Sequence, residues 1–340
     1  MRRARAGLRG WGGVGAMAAL CALALAFALL LPLTLPGGSD APGTGGRGSA
    51  DGTQASTDTC TAPEEQTLAP SSAGGPTVDA IRNRRGAKRR LVVGVDQNSY
   101  RWGYRDPNTE GARLEGFDID LVHRIAADIL GDPDAVQFKA IPTDQRIPAI
   151  RSGRVDMVVR TMTITCARER EVAFSAPYFK TGQQVLAPKS STITGYDGSL
   201  AGKRICTAAG STAYLKLSGD REAGRLPATA DISTTVPNQL DCLVRLQLGE
   251  VDAVVTDGAL AASQAAQDPT VELKGTAFTT EYYGVAMRKD ADDLVRRVNR
   301  VLVGYRASGW QASYDTWLSA TLGKDAAPSM PPAPRYLRTG

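Results

Sequence analysis

Residues 146–159, RIPAIRSGRVDMVV, share one pattern with residues 240–255, LDCLVRLQLGEVDAVV. In each phrase, apolar residues at helical spacing stop at a glycine, Gly153 or Gly249, and glycine is the residue that most often follows the end of a helix. An acid-containing turn and a run typical of a buried strand come next. The phrases lie roughly a hundred residues apart, too far for a small solenoid repeat, so they predict two similar lobes.

The chain around these phrases alternates between strand-like and helical segments. Residues 91–95 form a β-branched run, and Leu121, Val122, Ile125 and Ile129 recur at helical spacing. Such alternation is typical of βαβ units. We therefore expect an α/β fold in which each lobe is a mostly parallel sheet flanked by helices.

The last third of the chain indicates how the lobes are joined. Residues 283–288 are typical of a strand, and helices are expected around residues 290–307 and 310–322. If the chain leaves lobe one along residues 183–187 and returns along residues 283–288, these two strands form a hinge. Ligands of open α/β sheets bind at the carboxyl ends of strands, so two facing lobes predict one cleft that closes about the hinge.

Composition divides the chain into segments. Residues 36 to about 78 are rich in small and polar residues without apolar periodicity, which is typical of a tether, and the end of the chain is rich in proline. The expected segments are a signal peptide or membrane anchor (1–37), a flexible tether (38–77), lobe one (78–185 and 282–325), lobe two (186–281) and a proline-rich tail (326–340).

The N-terminal segment predicts export. Arginines in the first ten residues precede an apolar run at residues 14–35, which is typical of a targeting segment. The run is also long enough to span a bilayer, so cleavage and retention as an anchor are both left open, with lipidation at Cys21 as a third alternative. We expect an extracytoplasmic protein, either secreted or associated with the cell surface.

The formal charge of +5 and the pI near 9.0 do not indicate a nucleic-acid-binding protein. The excess of positive charge lies in residues 1–10 and 81–90, neither of which contains an acidic residue. Elsewhere acidic residues outnumber basic ones, which excludes a broad basic surface for nucleic acid.

Four cysteines follow the N-terminal segment, and an even number in an exported chain favours disulfides. We favour pairing Cys206 with Cys242, because both lie in the middle third, which leaves Cys60 with Cys166. Buried free thiols are the alternative. A metal site is not expected, because no pair has close ligand spacing and the chain has one histidine.

The residue types after the predicted strands suit a free amino acid. Its carboxylate needs a planar cation with hydroxyl or amide donors, and Thr161, Thr163 and Arg168 follow a predicted strand. Ser211 and Thr212 open a helix in lobe two, where free backbone N–H groups favour an anion. Asp257, at the end of the second repeated phrase, is placed to accept the ammonium.

With these residues in this order, the chain resembles the polar amino-acid class of bacterial extracellular solute-binding proteins, which serve ABC importers. The resemblance covers about residues 78–325 and is closest to the branch that binds glutamate, aspartate and glutamine. The resembling phrases, in the family's order, are LVVGVD, LEGFDIDLV, RIPAIRSGRVDMVVRTMTIT, EVAFSAPYF, LAGKRICTAAGST, GEVDAVVTD and YGVAM.

The resemblance implies a type II periplasmic-binding-protein-like fold and assigns the α-carboxylate to Arg168, Thr163 and Thr212. It assigns the ammonium to Asp257, and Thr161 adds a contact.

For an acidic side chain the resemblance implies Arg146 with Thr143, and Arg160 is a second candidate. Arg146 has a structural alternative, an ion pair with Asp144. Asp96 departs from relatives that carry an arginine there. Tyr100 does not align cleanly with the family's stacking aromatic, but it is the candidate for that contact with the ligand.

The expected function is therefore binding of glutamate or aspartate, with glutamine and asparagine second, and delivery to a membrane permease. No cofactor is implied, and a monomer is expected. A sensor read by a membrane signalling protein shares the same ligand chemistry and is the first alternative. An enzyme of the superfamily, such as a dehydratase or murein lyase, is the second, but no histidine or nucleophile motif lies near the site residues.

Overall fold

The structure is a computed structural model that describes residues 60–339. The expected signal peptide or anchor (1–37), the lipidation of Cys21 and the tether up to residue 59 lie outside these residues. Within residues 60–339, no helix is both long and apolar enough to cross a bilayer.

The strands are short and occur throughout both halves of the chain. They are β1 (Leu91–Val95), β2 (Asn98–Ser99), β3 (Gly103–Arg105), β4 (Leu114–Glu115), β5 (Val136–Ala140), β6 (Met157–Val158), β7 (Val172–Phe174), β8 (Phe179–Thr181), β9 (Gln183–Pro188), β10 (Arg204–Ala208), β11 (Asp231–Val236), β12 (Ala253–Asp257), β13 (Val271–Lys274), β14 (Glu281–Tyr283) and β15 (Ala286–Arg288).

The helices lie between these strands and after the last of them. They are α1 (Pro76–Arg82), α2 (Phe117–Leu130), α3 (Arg146–Arg151), α4 (Cys166–Glu169), α5 (Thr212–Glu222), α6 (Gln239–Gln247), α7 (Gly258–Ala265), α8 (Asp292–Ser308), α9 (Trp310–Trp317) and α10 (Ser319–Leu322).

Two five-stranded sheets form the centres of the two lobes. Their orders are β5-β1-β6-β15-β7 in lobe one and β11-β10-β12-β9-β13 in lobe two. In each sheet four strands run one way, and only the fourth in the order, β15 or β9, runs the other way. The two-lobed α/β fold with mostly parallel sheets is therefore confirmed.

The repeated phrases occupy equivalent places in the two lobes. Helices α3 and α6 both end just before a glycine in the left-handed conformation, Gly153 at φ 68° and Gly249 at φ 69°. The strands that follow, β6 and β12, are each third in their sheet's order. Asp156 and Asp252 each accept a hydrogen bond from a backbone N–H of the neighbouring strand, so both acids have structural roles, as their turn positions predict.

A two-stranded ribbon of β8 and β14 joins the lobes, with Glu281 opposite Thr181. The crossing thus lies a few residues before the expected hinge strands, whose residues belong mainly to the two large sheets. Gly182 follows β8, and a Cβ there would overlap the carbonyl oxygen of Thr279. Only glycine fits this close approach of the two connections.

Aromatic packing attaches the ribbon to the core of lobe one. The rings of Phe179 and Tyr283, one on each ribbon strand, lie with their centroids 4.8 and 5.8 Å from that of Trp102. All three side chains are fully buried, and burial of each contributes about 1.5–3 kcal/mol. The ribbon therefore has a fixed base in lobe one.

Both ends of the described chain pack on lobe one. Leu68 is fully buried, and the Thr67 hydroxyl donates to the Phe174 carbonyl at 2.7 Å. In the tail, the Leu337 N–H donates to the Glu65 carbonyl at 3.0 Å. Residues 60–77 thus differ from a flexible tether, because apolar and hydrogen-bonding side chains among the small residues fit the surface of the lobe.

Two disulfides join Cys60 to Cys166 and Cys206 to Cys242, which confirms the favoured pairing. Cys206 and Cys242 link β10 to α6 inside lobe two. Cys60 links the first described residue to α4, the short helix that carries Arg168. The first disulfide therefore ties the N-terminal end of the lobe to a helix of the predicted ligand site.

Replacing both Cys60 and Cys166 by alanine is expected to lower the free energy of unfolding by about 2–4 kcal/mol, since the cross-link restricts a long loop in the unfolded chain. Urea unfolding followed by tryptophan fluorescence measures this. The matched control removes Cys206 and Cys242, which should destabilise lobe two without releasing α4. A change below about 0.5 kcal/mol in the first variant would contradict the role given to that disulfide.

Candidate functional site

Buried charged and polar side chains meet where the two sheets face each other across the ribbon. Thr163 follows β6 in lobe one, Asp257 ends β12 in lobe two, and Glu281 begins β14 of the ribbon. Each is less than 9% exposed. The site thus forms at the carboxyl ends of equivalent central strands, as expected for open α/β sheets.

Arg168 lies on α4, which begins where the Thr165 side chain accepts a hydrogen bond from the Arg168 N–H at 3.2 Å. Its Nη1 donates to the Thr163 carbonyl at 2.7 Å, and its Nη2 reaches across the cleft to the Gly210 carbonyl at 3.1 Å. Burial lowers the pKa of this guanidinium, while Glu281 and Asp257 act in the opposite direction. Two of its five N–H groups are used in these contacts, so three can still serve a carboxylate.

Across residues 60–339, Arg168 and Arg146 have no carboxylate within 4.0 Å. Arg146 begins α3 and is buried, and its Nε donates to the Thr143 carbonyl at 2.8 Å. Burial lowers the pKa of Arg146 strongly, and the charges of Arg168 and Arg160 lower it further. The alternative ion pair with Asp144 does not form, so Arg146 is a buried cation that faces the cleft.

Opposite these arginines lie two carboxylates that share a donor. The Gln183 side-chain amide donates to Asp257 Oδ1 at 2.5 Å and to Glu281 Oε1 at 2.9 Å. The Tyr283 hydroxyl donates to Asp257 Oδ2 at 2.5 Å. Burial and the neighbouring charge of Glu281 raise the pKa of Asp257 to about 7.

The Glu281 carboxylate also contacts both lobes. Its Oε2 accepts hydrogen bonds from the hydroxyls of Thr163, at 2.6 Å, and Thr212, at 2.9 Å. These threonines are the ones that the family resemblance assigns to the ligand carboxylate. Glu281 is therefore part of the site although it was not among the predicted residues.

Arg160 is fully buried, but its charge already has a partner. Its Nη2 lies 2.7 Å from Asp96 Oδ2 and donates to Asn238 at 3.0 Å, and its Nη1 donates to the Thr143 hydroxyl at 3.0 Å. The pairing explains why Asp96 stands where some relatives carry an arginine. Asp96 supplies the carboxylate that a buried guanidinium needs. A ligand contact of Arg160 stays a prediction.

The other three expected residues, Thr161, Ser211 and Tyr100, differ in where they lie relative to the site. Thr161 is held at φ 41°, and its N–H donates to the buried Asp118 carboxylate at 3.0 Å. The Ser211 hydroxyl caps α5 by accepting from the Tyr214 N–H. Tyr100 does not line the cavity of the two arginines, and instead borders a much smaller space near Leu240, Leu260 and Gln264. Thr161 and Ser211 thus flank site residues in sequence, whereas Tyr100 does not.

A cavity of about 470 Å³ adjoins the buried cluster. Arg146 and Arg168 line it together with Met162, Thr143 and Gly210. A Cβ on Gly210 would lie 2.9 Å from the Cα of Asp144, so the two lobes touch at this edge. The cavity is within the size range of small-molecule sites.

Sequence reasoning missed Gln183, Glu281 and Tyr283 as site residues. All three lie in or next to the two connections between the lobes, and the prediction used these segments only as hinge strands. A buried-strand pattern that contains an acid, as at EYYG, is the signal that was available for Glu281.

Most of the chain is similar to known proteins. Residues 91–320 match the family model of bacterial extracellular solute-binding proteins, family 3. The chain is 33% identical over 230 residues to the ABC transporter glutamine-binding protein GlnH of Bacillus subtilis, a match that covers 67% of this chain and 81% of the relative. It is 34% identical over 219 residues to the glutamine-binding protein of Geobacillus stearothermophilus, covering 64% and 79% of the two chains.

A solved structure of an ancestral arginine-binding protein bound to glutamine is also similar. It has a TM-score of 0.60 and 33% sequence identity, and the match covers 71% of this chain and all of that one. The fold of that entire solved chain is thus similar to 71% of this chain.

Proposed function

Because this chain belongs to the bacterial extracellular solute-binding proteins, family 3, we propose that it binds a free amino acid between its lobes, with glutamine preferred and glutamate second. The observation that carries the proposal is the buried Arg168 guanidinium, which has no carboxylate partner among residues 60–339 and lies opposite the Asp257 and Glu281 carboxylates. A carboxylate and an ammonium on one carbon complement this arrangement. The family is one of solute-binding proteins, so the chain is not an enzyme.

The side chain of the ligand would face Arg146, which lines the cavity and has N–H donors for a carbonyl or carboxylate oxygen. The sequence led us to expect acidic ligands first. Because Arg160 is already paired with Asp96, we instead propose that glutamine binds more tightly than glutamate. When Asp257 is ionised, Arg146 and Arg168 balance Asp257 and Glu281 in charge. A glutamine zwitterion keeps that balance, whereas glutamate adds one net negative charge to the buried site.

Binding would favour closure because the ligand contacts both lobes. Its carboxylate is proposed to meet Arg168 of lobe one and Thr212 of lobe two, and its ammonium to meet Asp257 of lobe two. Contacts that exist only when the lobes are together supply the differential affinity that shifts the population toward the closed form. We further propose that the protein acts outside the cytoplasm and delivers its ligand to the permease of an ABC importer. The monomeric state and the choice between permease and sensor stay predictions.

Calorimetric titration of a panel of amino acids tests the proposal. Glutamine is expected to bind most tightly, glutamate and asparagine next, then aspartate, with lysine and arginine last because their cations would lie beside Arg146. Arg146→Ala should lower glutamine affinity by at least about tenfold. Arg154→Ala, which removes an exposed arginine just after the same helix and outside the lining of the cavity, is the matched control and should leave the ranking unchanged. Tightest binding of arginine or lysine would overturn the proposed ligand.

A further inference from the structure

Glu281 accepts four side-chain hydrogen bonds, one of them a long one of 3.5 Å from Thr279, and the other three together span the molecule. Its Oε2 accepts from Thr163 of lobe one at 2.6 Å and from Thr212 of lobe two at 2.9 Å. Its Oε1 accepts from Gln183, at the start of β9, at 2.9 Å. One buried carboxylate on the ribbon therefore accepts hydrogen bonds from hydroxyl groups of both lobes.

The two threonine hydroxyls have one proton each, so neither can donate a full hydrogen bond to two carboxylates at the same time. The proposed function gives these same protons to the α-carboxylate of the ligand. Glu281 and the ligand thus require the same donors, and one must give them up when the other takes them. Charge-assisted hydrogen bonds of this length are strong. Competition for the two hydroxyls therefore affects the binding free energy.

We propose that Glu281 is an internal competitor for the α-carboxylate of the ligand, an inference that rests on the proposed function. In the absence of amino acid, Glu281 holds Thr163 and Thr212 and draws the lobes together. The arriving α-carboxylate takes over the two hydroxyls, and Glu281 keeps the Gln183 amide beside Asp257. A fraction of the free protein is then closed and unable to bind, and the apparent dissociation constant rises in inverse proportion to the fraction that stays open.

Replacing Glu281 by glutamine preserves the shape of the side chain and removes its charge. We expect Glu281→Gln to bind glutamine about tenfold more tightly than the wild type, because more of the free protein is open. Glu281→Asp, whose carboxylate is too short to hold both hydroxyls, should change affinity in the same direction and serves if the first variant does not fold. Glu272→Gln is the matched control, since Glu272 lies on β13 and pairs with Lys274 outside the site.

A ligand-independent readout separates this inference from the proposed function. Dyes on cysteines introduced at the exposed positions Val303 in lobe one and Leu248 in lobe two, in the full chain with Cys21→Ser, report the interlobe distance by energy transfer. Without amino acid, Glu281→Gln should shift the distribution to longer distances than the wild type, and Glu272→Gln should not.

Three results would count against the proposals in different ways. Weaker glutamine binding by Glu281→Gln, with an unchanged interlobe distance, would overturn the inference and make Glu281 an ammonium acceptor. Unchanged affinity together with an unchanged distance would also overturn it, leaving Glu281 a structural residue. If neither wild type nor variant binds any amino acid, the proposed function fails, and the distance measurement alone reports whether Glu281 closes the lobes.

Discussion

Replacement of Arg168 by alanine is expected to weaken binding of every amino acid by more than about 100-fold, whatever its side chain. The reason is that Arg168 is a buried cation whose spare N–H groups face the cleft, while its other contacts fix it to Thr163 and Gly210. Loss of a buried, hydrogen-bonded charge partner costs about 2–5 kcal/mol in comparable sites. Calorimetry with glutamine, glutamate and alanine as ligands measures the effect and shows whether it is independent of the side chain.

Two further variants identify the cause. Arg168→Lys keeps a charge but not the planar pair of donors, so it should recover only part of the affinity. Arg170→Ala removes an exposed arginine two residues away and should leave binding unchanged. An Arg168→Ala protein that folds and retains glutamine affinity within about threefold of the wild type would exclude Arg168 as the carboxylate anchor.

Replacement of Asp257 by asparagine is expected to weaken amino-acid binding about as much as Arg168→Ala does, because it removes the charge that faces the ligand ammonium. It should also remove a pH dependence. Burial and Glu281 raise the pKa of Asp257 to about 7, so below that pH the carboxyl must release a proton before it can accept the ammonium. Wild-type affinity should therefore fall by about tenfold for each pH unit below 7.

Titrations of glutamine at pH 5, 6, 7 and 8 measure this slope. The raised pKa changes the stability of the free protein in the opposite direction: lowering the pH weakens ligand binding but stabilises the fold. The contribution of Asp257 to stability is fully present below the ordinary carboxyl value near 4 and is lost as the pH rises through 7, because the folded state prefers the neutral form. A slope in Asp257→Asn equal to that of the wild type would assign the pH dependence to another group.

The overall fold could be predicted because its main signals are local. The two phrases that end at Gly153 and Gly249 contain a helix, its end and a strand within about 15 residues, and both lobes have these elements in the same order. The packing of Leu68 and the C-terminal tail on lobe one could not be predicted in this way. Their contacts join segments far apart in sequence and have no periodic pattern.

Candidate site residues could be predicted where a side chain lies at the end of a recognisable strand or a few residues after it, as Asp257 and Thr163 do. Glu281 was missed because the donors that give it a role, Thr163 above all, lie 118 residues away. For Arg160 the sequence indicated a buried charge that needs a partner. It did not indicate that Asp96 is the partner, because the pairing depends on how β1 and β6 lie side by side.

Lobe two is inserted into lobe one, and both ends of the described chain are fastened to lobe one through Cys60, Thr67 and Leu337. Mechanical tension on either end, for instance through an attachment upstream of residue 60, is therefore borne by lobe one. The ribbon and lobe two lie outside that path of force. If the cleft closes on its ligand as proposed, that motion does not work against the applied force, because lobe two lies outside its path.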